Sequence, residues 1–254
     1  MGTLTEDVYK YLLNKPLFNG YEGTISKYRG DLIKLFEVIP QIKFSNSTPD
    51  FYENKKTKIE KIMDIPSFQQ KNIIYPKDIY TVYDQFCGYT MPNTTDLKPL
   101  CEIKRNPTEK IEILKRFRRL LDYFHDQNIV YGDIKQDNML ISDDSSKIGF
   151  CDLDNMIIDK IPIDLMTKAA NYFIYYYKFF DYKLDSFIFN LFTVYYLYNF
   201  YPEKNYEGVI DYLQEKGAPL FTGKTDYKKI KEITEQMNNI DHNYNGEYYI
   251  DYIK

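Results

Sequence analysis

The spacing of apolar positions changes character part-way along the chain. Residues 5–14 place apolar groups at helical intervals and stop before Pro16, which predicts a short amphipathic helix. Thr24–Tyr28 and Leu32–Ile39 then read as strands joined by a turn at Arg29-Gly30-Asp31. The turn-rich stretch Ser45–Pro49 follows. Asp50 is expected to cap a helix carrying Phe51, Ile59, Ile62 and Met63. A second strand pair is predicted at Ile79–Tyr83 and Phe86–Met91, closed by Pro92. Beyond it the period is helical: Thr108–His125 sets Ile111, Ile113, Leu114, Phe117, Leu120, Leu121 and Phe124 on one helix face. Short strands at Met139–Ile141 and Lys147–Phe150 flank the turn Ser142–Ser146, and helices are expected from there on. Strands first and helices after predict an α+β chain with two lobes, a small β-rich one over residues 1–92 and a helical one over 93–254.

Composition narrows this picture only slightly. The chain has 254 residues, 44% of them hydrophobic and 28% charged, which fits a folded protein rather than a disordered one. It holds 27 Tyr and 17 Phe but no Trp, a bias of base composition that names no activity. The net charge is −4, and the densest basic group, Lys115, Arg116, Arg118 and Arg119, lies in a helical pattern that reads as a solvated face. No nucleic-acid partner is expected. Cys87, Cys101 and Cys151 have no metal-ligand spacing, and no signal peptide pattern precedes them, so a reducing cytoplasm is the expectation. The most apolar run, Ser186–Tyr201, is too short and too polar at its edges to span a bilayer and is expected as a buried helix.

Chemistry concentrates in two segments: Ile129-Val130-Tyr131-Gly132-Asp133-Ile134-Lys135-Gln136-Asp137-Asn138-Met139-Leu140-Ile141, and Lys147-Ile148-Gly149-Phe150-Cys151-Asp152-Leu153-Asp154-Asn155. Together they resemble the catalytic loop and metal-binding motif of protein kinases, H-R-D-x-K-x-x-N followed by D-F-G. Phosphoryl transfer explains the residue types, because its transition state spreads negative charge over phosphate oxygens and needs cations fixed in place. The resemblance implies that Asp133 orients the attacking hydroxyl, that Lys135 neutralises the transferred phosphoryl group, and that Asn138 and Asp152 hold Mg²⁺. It further implies a nucleotide loop at Gly20 and Gly23, where backbone approaches phosphates without a Cβ clash. Lys34, a single lysine in the apolar stretch Leu32-Ile33-Lys34-Leu35-Phe36, resembles the strand lysine that contacts the α/β-phosphates. Its helix glutamate partner would be Glu60, with Glu53 a rival that the sequence does not exclude. Met91, at the end of Phe86–Met91, would lie at the adenine-binding hinge. His125 is expected to be structural, and Asp185 to hold the catalytic-loop backbone.

The implied fold is therefore protein-kinase-like, and the implied activity an ATP- and Mg²⁺-dependent phosphotransferase acting on Ser/Thr hydroxyls of protein, compact and divergent, of bacterial or viral character. Lys135 favours a protein acceptor, whereas Gly132 is similar to the small-molecule phosphotransferases of the same fold, which are an alternative. A nucleotide-binding pseudokinase scaffold is another. Tyr131-Gly132 replaces His-Arg, Asp152-Leu153-Asp154 replaces Asp-Phe-Gly, and no Ala-Pro-Glu follows. Asp154 either adds a metal-directed carboxylate or caps the turn after Asp152, and the cap is the expectation. The segment from Asp152 to Asp185 offers only Thr167 as a Ser/Thr acceptor, beside Tyr172, Tyr175, Tyr176, Tyr177 and Tyr182, so control by its phosphorylation is not expected.

Overall fold

The computed structural model describes residues 1–20, 23–38, 49–159, 181–198, 226–238 and 244–253. The chain forms two compact units, one of Met1–Leu97 with Gly149–Asp154, the other of Lys98–Ile148 with Asn155–Lys254.

The first unit is built on a six-stranded sheet. Its strands are β1 (Gly2–Thr3), β2 (Phe18–Asn19), β3 (Thr24–Tyr28), β4 (Asp31–Leu35), β5 (Asp78–Val82) and β6 (Gln85–Met91), in the order β1-β5-β6-β4-β3-β2. Only β1–β5 is parallel. Arg29 (φ 51°) and Gly30 (φ 89°) close the β3–β4 hairpin, and two successive left-handed residues give the turn whose twist matches the strands. β4 ends at Leu35, opposite Gly88, short of the sequence expectation. A Cβ on Gly88 would lie 2.1 Å from the Lys34 carbonyl oxygen, so only glycine admits this approach of β6 to β4.

Helix α1 (Glu6–Leu13) is capped by Thr5 and lays Tyr9 and Leu12 on Ile33, Leu35, Val82 and Cys87. The Tyr9 hydroxyl donates to the Phe36 carbonyl (2.6 Å) and accepts from the Val38 amide (2.7 Å), pinning the chain as it leaves β4. Helix α2 (Pro49–Met63) packs on β6 and β5; the cap expected of Asp50 concerns a side chain outside the described ones. A short helix, α3 (Phe68–Lys71), leads to Asn72. The Asn72 amide donates to Ile74 and Phe150 carbonyls, and its oxygen accepts from the Phe150 amide (3.2 Å). This stitch ties Gly149–Asp154 to the first unit. Gly149 is required there, since a Cβ would meet the Asn72 oxygen at 2.6 Å.

In the second unit, after β7 (Leu97–Pro99), helix α4 (Pro107–Asp126) starts with a capping box between Asn106 and Glu109 and proline in its first turn. It buries Ile113, Leu114, Phe117, Leu120, Leu121 and Phe124, the stripe read from the sequence apart from Ile111. Strands β8 (Ile129–Val130), β9 (Met139–Ser142) and β11 (Ile157–Ile158) follow, β8 pairing with β11; between β9 and β11 the strand β10 (Ile148–Phe150) leads into the Gly149–Asp154 segment of the first unit. Helix α5 (Tyr182–Tyr198) is apolar nearly all round and packs on α4 and on a single helical turn at Tyr249–Tyr252. Helix α6 (Tyr227–Asn238) packs on that turn as well. Among the described residues no helix is long and apolar enough to cross a membrane. Thr167 and the aromatic stretch Asn171–Phe180 lie outside the described residues.

Candidate active site

Each unit carries one group of chemically active residues. In the first, Lys34 sits in mid-β4, paired in register with Ile25 on one side and Tyr89 on the other, so its stem is surrounded by sheet and only 5% of it is exposed. Its ammonium lies 2.7 Å from Asp154 Oδ1 and 3.1 Å from Asp152 Oδ1. Asp154 is fully buried and has two further donors: the Tyr89 hydroxyl on Oδ1 (2.9 Å) and the Lys55 ammonium on Oδ2 (2.8 Å). Burial pushes the Asp154 carboxyl up, but Lys34 and Lys55 outweigh it and hold the group well below the usual carboxylate range. For Lys34, burial favours the neutral amine, yet Asp154 and then Asp152 raise it, so the ammonium stays charged. Burial and then Asp154 push the Tyr89 hydroxyl well above its ordinary value. Asp152 has the left-handed φ of 56° and keeps about a third of its side chain open, 31% exposed.

The glutamate expected on α2 is not at Lys34. Glu60 lies 3.9 Å from Lys56, about half exposed, and its rival Glu53 lies 3.8 Å from the same lysine. The reason is helical phase. Glu53 and Glu60 are two turns apart on the outer face, whereas Lys55, Ile59 and Ile62 share the buried one. The anions that pair with Lys34 are Asp154, which is not a turn cap, and Asp152, and the helix turns cations inward, Lys55 and Lys58 both being fully buried. The signal in the sequence was Lys55 standing at i−4 and i−7 from two buried isoleucines.

Gly20 and Gly23 form the β2–β3 loop, with the Gly20 amide on the Gly23 carbonyl at 2.8 Å. Gly23 has a steric reason of its own, since a Cβ would stand 2.6 Å from the Leu35 carbonyl oxygen. Met91 is buried at the end of β6, opposite Leu32.

In the second unit, the chain between β8 and β9 is held by Asp185, buried in the first turn of α5. Asp185 accepts the Tyr131 amide on Oδ2 (2.7 Å) and the Gly132 amide on Oδ1 (2.6 Å), and His125 Nε2 lies 2.9 Å from Oδ2. His125 is thus a structural partner of Asp185. Gly132 turns the chain with φ 74°, which a side chain would strain. That turn delivers Asp133, which is buried. Asp133 Oδ2 is met by the Lys135 ammonium (2.7 Å) and the Asn138 amide nitrogen (2.7 Å), and the same nitrogen reaches the Asp133 carbonyl (3.1 Å). Asn138 spends its nitrogen on Asp133, so the group it can offer a cation is its oxygen.

No family model and no curated protein sequence matches this chain. Its two units, sheet and helices define the α+β, two-lobed fold of the protein-kinase-like proteins. Among solved structures, the kinase PK-1 of Cydia pomonella granulovirus is similar over 94% of this chain and 90% of its own, with a TM-score of 0.57 and 18% identity. At that identity the likeness is one of fold.

Proposed function

We propose that the chain is an ATP- and Mg²⁺-dependent phosphotransferase that phosphorylates Ser/Thr hydroxyls of protein. The observation that carries the reading is the cluster of Lys34, Asp152 and Asp154. A buried ammonium held ready beside a partly open carboxylate is an arrangement suited to a metal-bridged polyphosphate. Asp152 of the first unit is a hard oxygen donor of the kind Mg²⁺ selects, as is the Asn138 oxygen of the second, and Mg²⁺ is bound through as few as one protein oxygen with waters and substrate phosphates rather than by an all-protein cage. When bound, the metal neutralises charge on the phosphates and fixes their geometry. Lys34 supplies the cation for the inner phosphates. The turn at Gly20 and Gly23 lets the backbone approach the phosphates without a Cβ clash, and the backbone at Met91 offers the adenine its hydrogen bonds.

Asp133 orients the acceptor hydroxyl and takes up its proton as transfer proceeds. Lys135 and Asn138 fix which Asp133 oxygen stays engaged, and Lys135, whose side chain is 43% exposed, can turn its charge to the moving phosphoryl group. The PK-1 protein, similar in fold, is named a kinase. Gly132, where protein kinases carry Arg, favours a small-molecule hydroxyl as the second reading. The test is incubation with γ-labelled ATP and separate pools of protein, peptide and small-molecule acceptors. Label on Ser or Thr supports the first reading, and label on small molecules alone supports the second. No transfer to any pool would overturn both.

A further inference from the structure

The buried cluster of the first unit contains one cation that phosphoryl transfer as described leaves unused. Lys55 is fully buried on the inner face of α2, with its ammonium 2.8 Å from Asp154 Oδ2 and 5.4 Å from the centre of the Phe36 ring. The Lys34 ammonium stands 5.6 Å from that ring. Two ammonium groups therefore share one carboxylate, oxygen by oxygen, beside one aromatic face.

We propose that Lys55 is a positioning residue: by holding Asp154 from the helix side, it leaves Lys34 available to a nucleotide phosphate. This rests on the reading of Lys34 as the phosphate-binding lysine. Asp154 has two ammonium partners, Lys34 and Lys55, beside the Tyr89 hydroxyl. Were Lys34 its one cation, turning Lys34 toward a phosphate would strand a carboxylate that water cannot reach. Lys55 stays on Oδ2 when Lys34 leaves Oδ1, and the Tyr89 hydroxyl remains on Oδ1 to satisfy it. The polarity is reversed from the one the sequence resemblance implies. The helix brings a cation, and the anion comes from the chain just after β10.

The experiment is a mutant cycle on the full chain with Lys55→Met, Asp154→Asn and the double variant. Two quantities are measured: the dissociation constant for MgATP, and the extent to which Lys34 is acylated by an amine-reactive ester in nucleotide-free protein. Lys55→Met should weaken MgATP about tenfold or more and lower Lys34 acylation by a similar factor, because Lys34 is then locked on Asp154. The double variant, with the locking charge removed, should return both to within about threefold of Asp154→Asn alone. Wild-type values in Lys55→Met would overturn the proposal. So would a double variant that binds about tenfold more weakly than Asp154→Asn, because Lys55 would then act without Asp154. If Lys55→Met does not fold, the comparison of the double variant with Asp154→Asn decides alone. If the wild type binds no MgATP, the phosphotransferase reading fails, while the acylation order still supports or overturns the role of Lys55.

Discussion

Asp185→Ala tests whether the loop before Asp133 is held from α5. The substitution removes the acceptor for two buried backbone amides, Tyr131 and Gly132, and for the His125 ring. Each buried N–H left without an acceptor costs about 1–3 kcal/mol, so two cost about 4 kcal/mol. That is a large share of a total stability of about 5–15 kcal/mol. With a urea slope of about 2 kcal/mol per molar, the unfolding midpoint should fall by about 2 M. Asp185→Asn keeps one acceptor oxygen and should lose about half as much. The assay is urea unfolding combined with amide hydrogen exchange. The loss of protection should centre on Tyr131 and Gly132, and turnover should drop because Asp133 no longer has a fixed place. A loss under about 1 kcal/mol, with those two amides still protected, would refute the reasoning.

Other consequences follow from particular contacts. Gly88→Ala should destabilise the first unit by about 3 kcal/mol in thermal or urea unfolding, since the new Cβ would meet the Lys34 carbonyl oxygen, a backbone atom that cannot move aside. A neutral result would mean that β6 can draw away from β4. Burial pushes the Cys87 thiol up to about 12, whereas Cys101 is exposed; iodoacetamide at neutral pH should alkylate Cys101 about a hundredfold faster or more, read by mass spectrometry. Burial likewise raises Tyr9 from 10.0 to about 12. The unfolded chain then gives up that proton first, so the stability Tyr9 contributes is complete below pH 10.0 and is lost as pH rises through about 12. Tyr9→Phe should flatten this alkaline limb in pH-dependent unfolding, and an unchanged limb would contradict the assignment.

The sequence made α4 legible because one apolar stripe repeats over five turns with a cap at its start, and it made the β3–β4 hairpin legible because Gly30, between two apolar runs, tolerates left-handed backbone. The group Asp133, Lys135 and Asn138 was legible from residue type and spacing, since a short loop brings those three together by itself. Long-range choices were not. The close approach of β6 to β4 at Gly88 is set across the sheet, and the two-residue strand β1 has no period to read. The partner of Lys34 was assigned to the wrong element for a similar reason. Both faces of α2 carry charge, and a buried lysine there looks like a surface one until Asp154, 99 residues later, is known to sit against it. Asp154 itself gave no local sign of burial, because its three donors come from β4, α2 and β6.

The proposal as a whole stands or falls on Asp152. The decisive measurement is the rate of γ-phosphate transfer to a protein acceptor as Mg²⁺ is titrated, for the wild type and for Asp152→Asn, which keeps the side-chain shape and removes the charge. The account predicts Mg²⁺-dependent transfer to Ser or Thr by the wild type. It predicts a loss of about a hundredfold to a thousandfold or more in a folded Asp152→Asn variant. Undiminished, Mg²⁺-dependent turnover in that variant would contradict it.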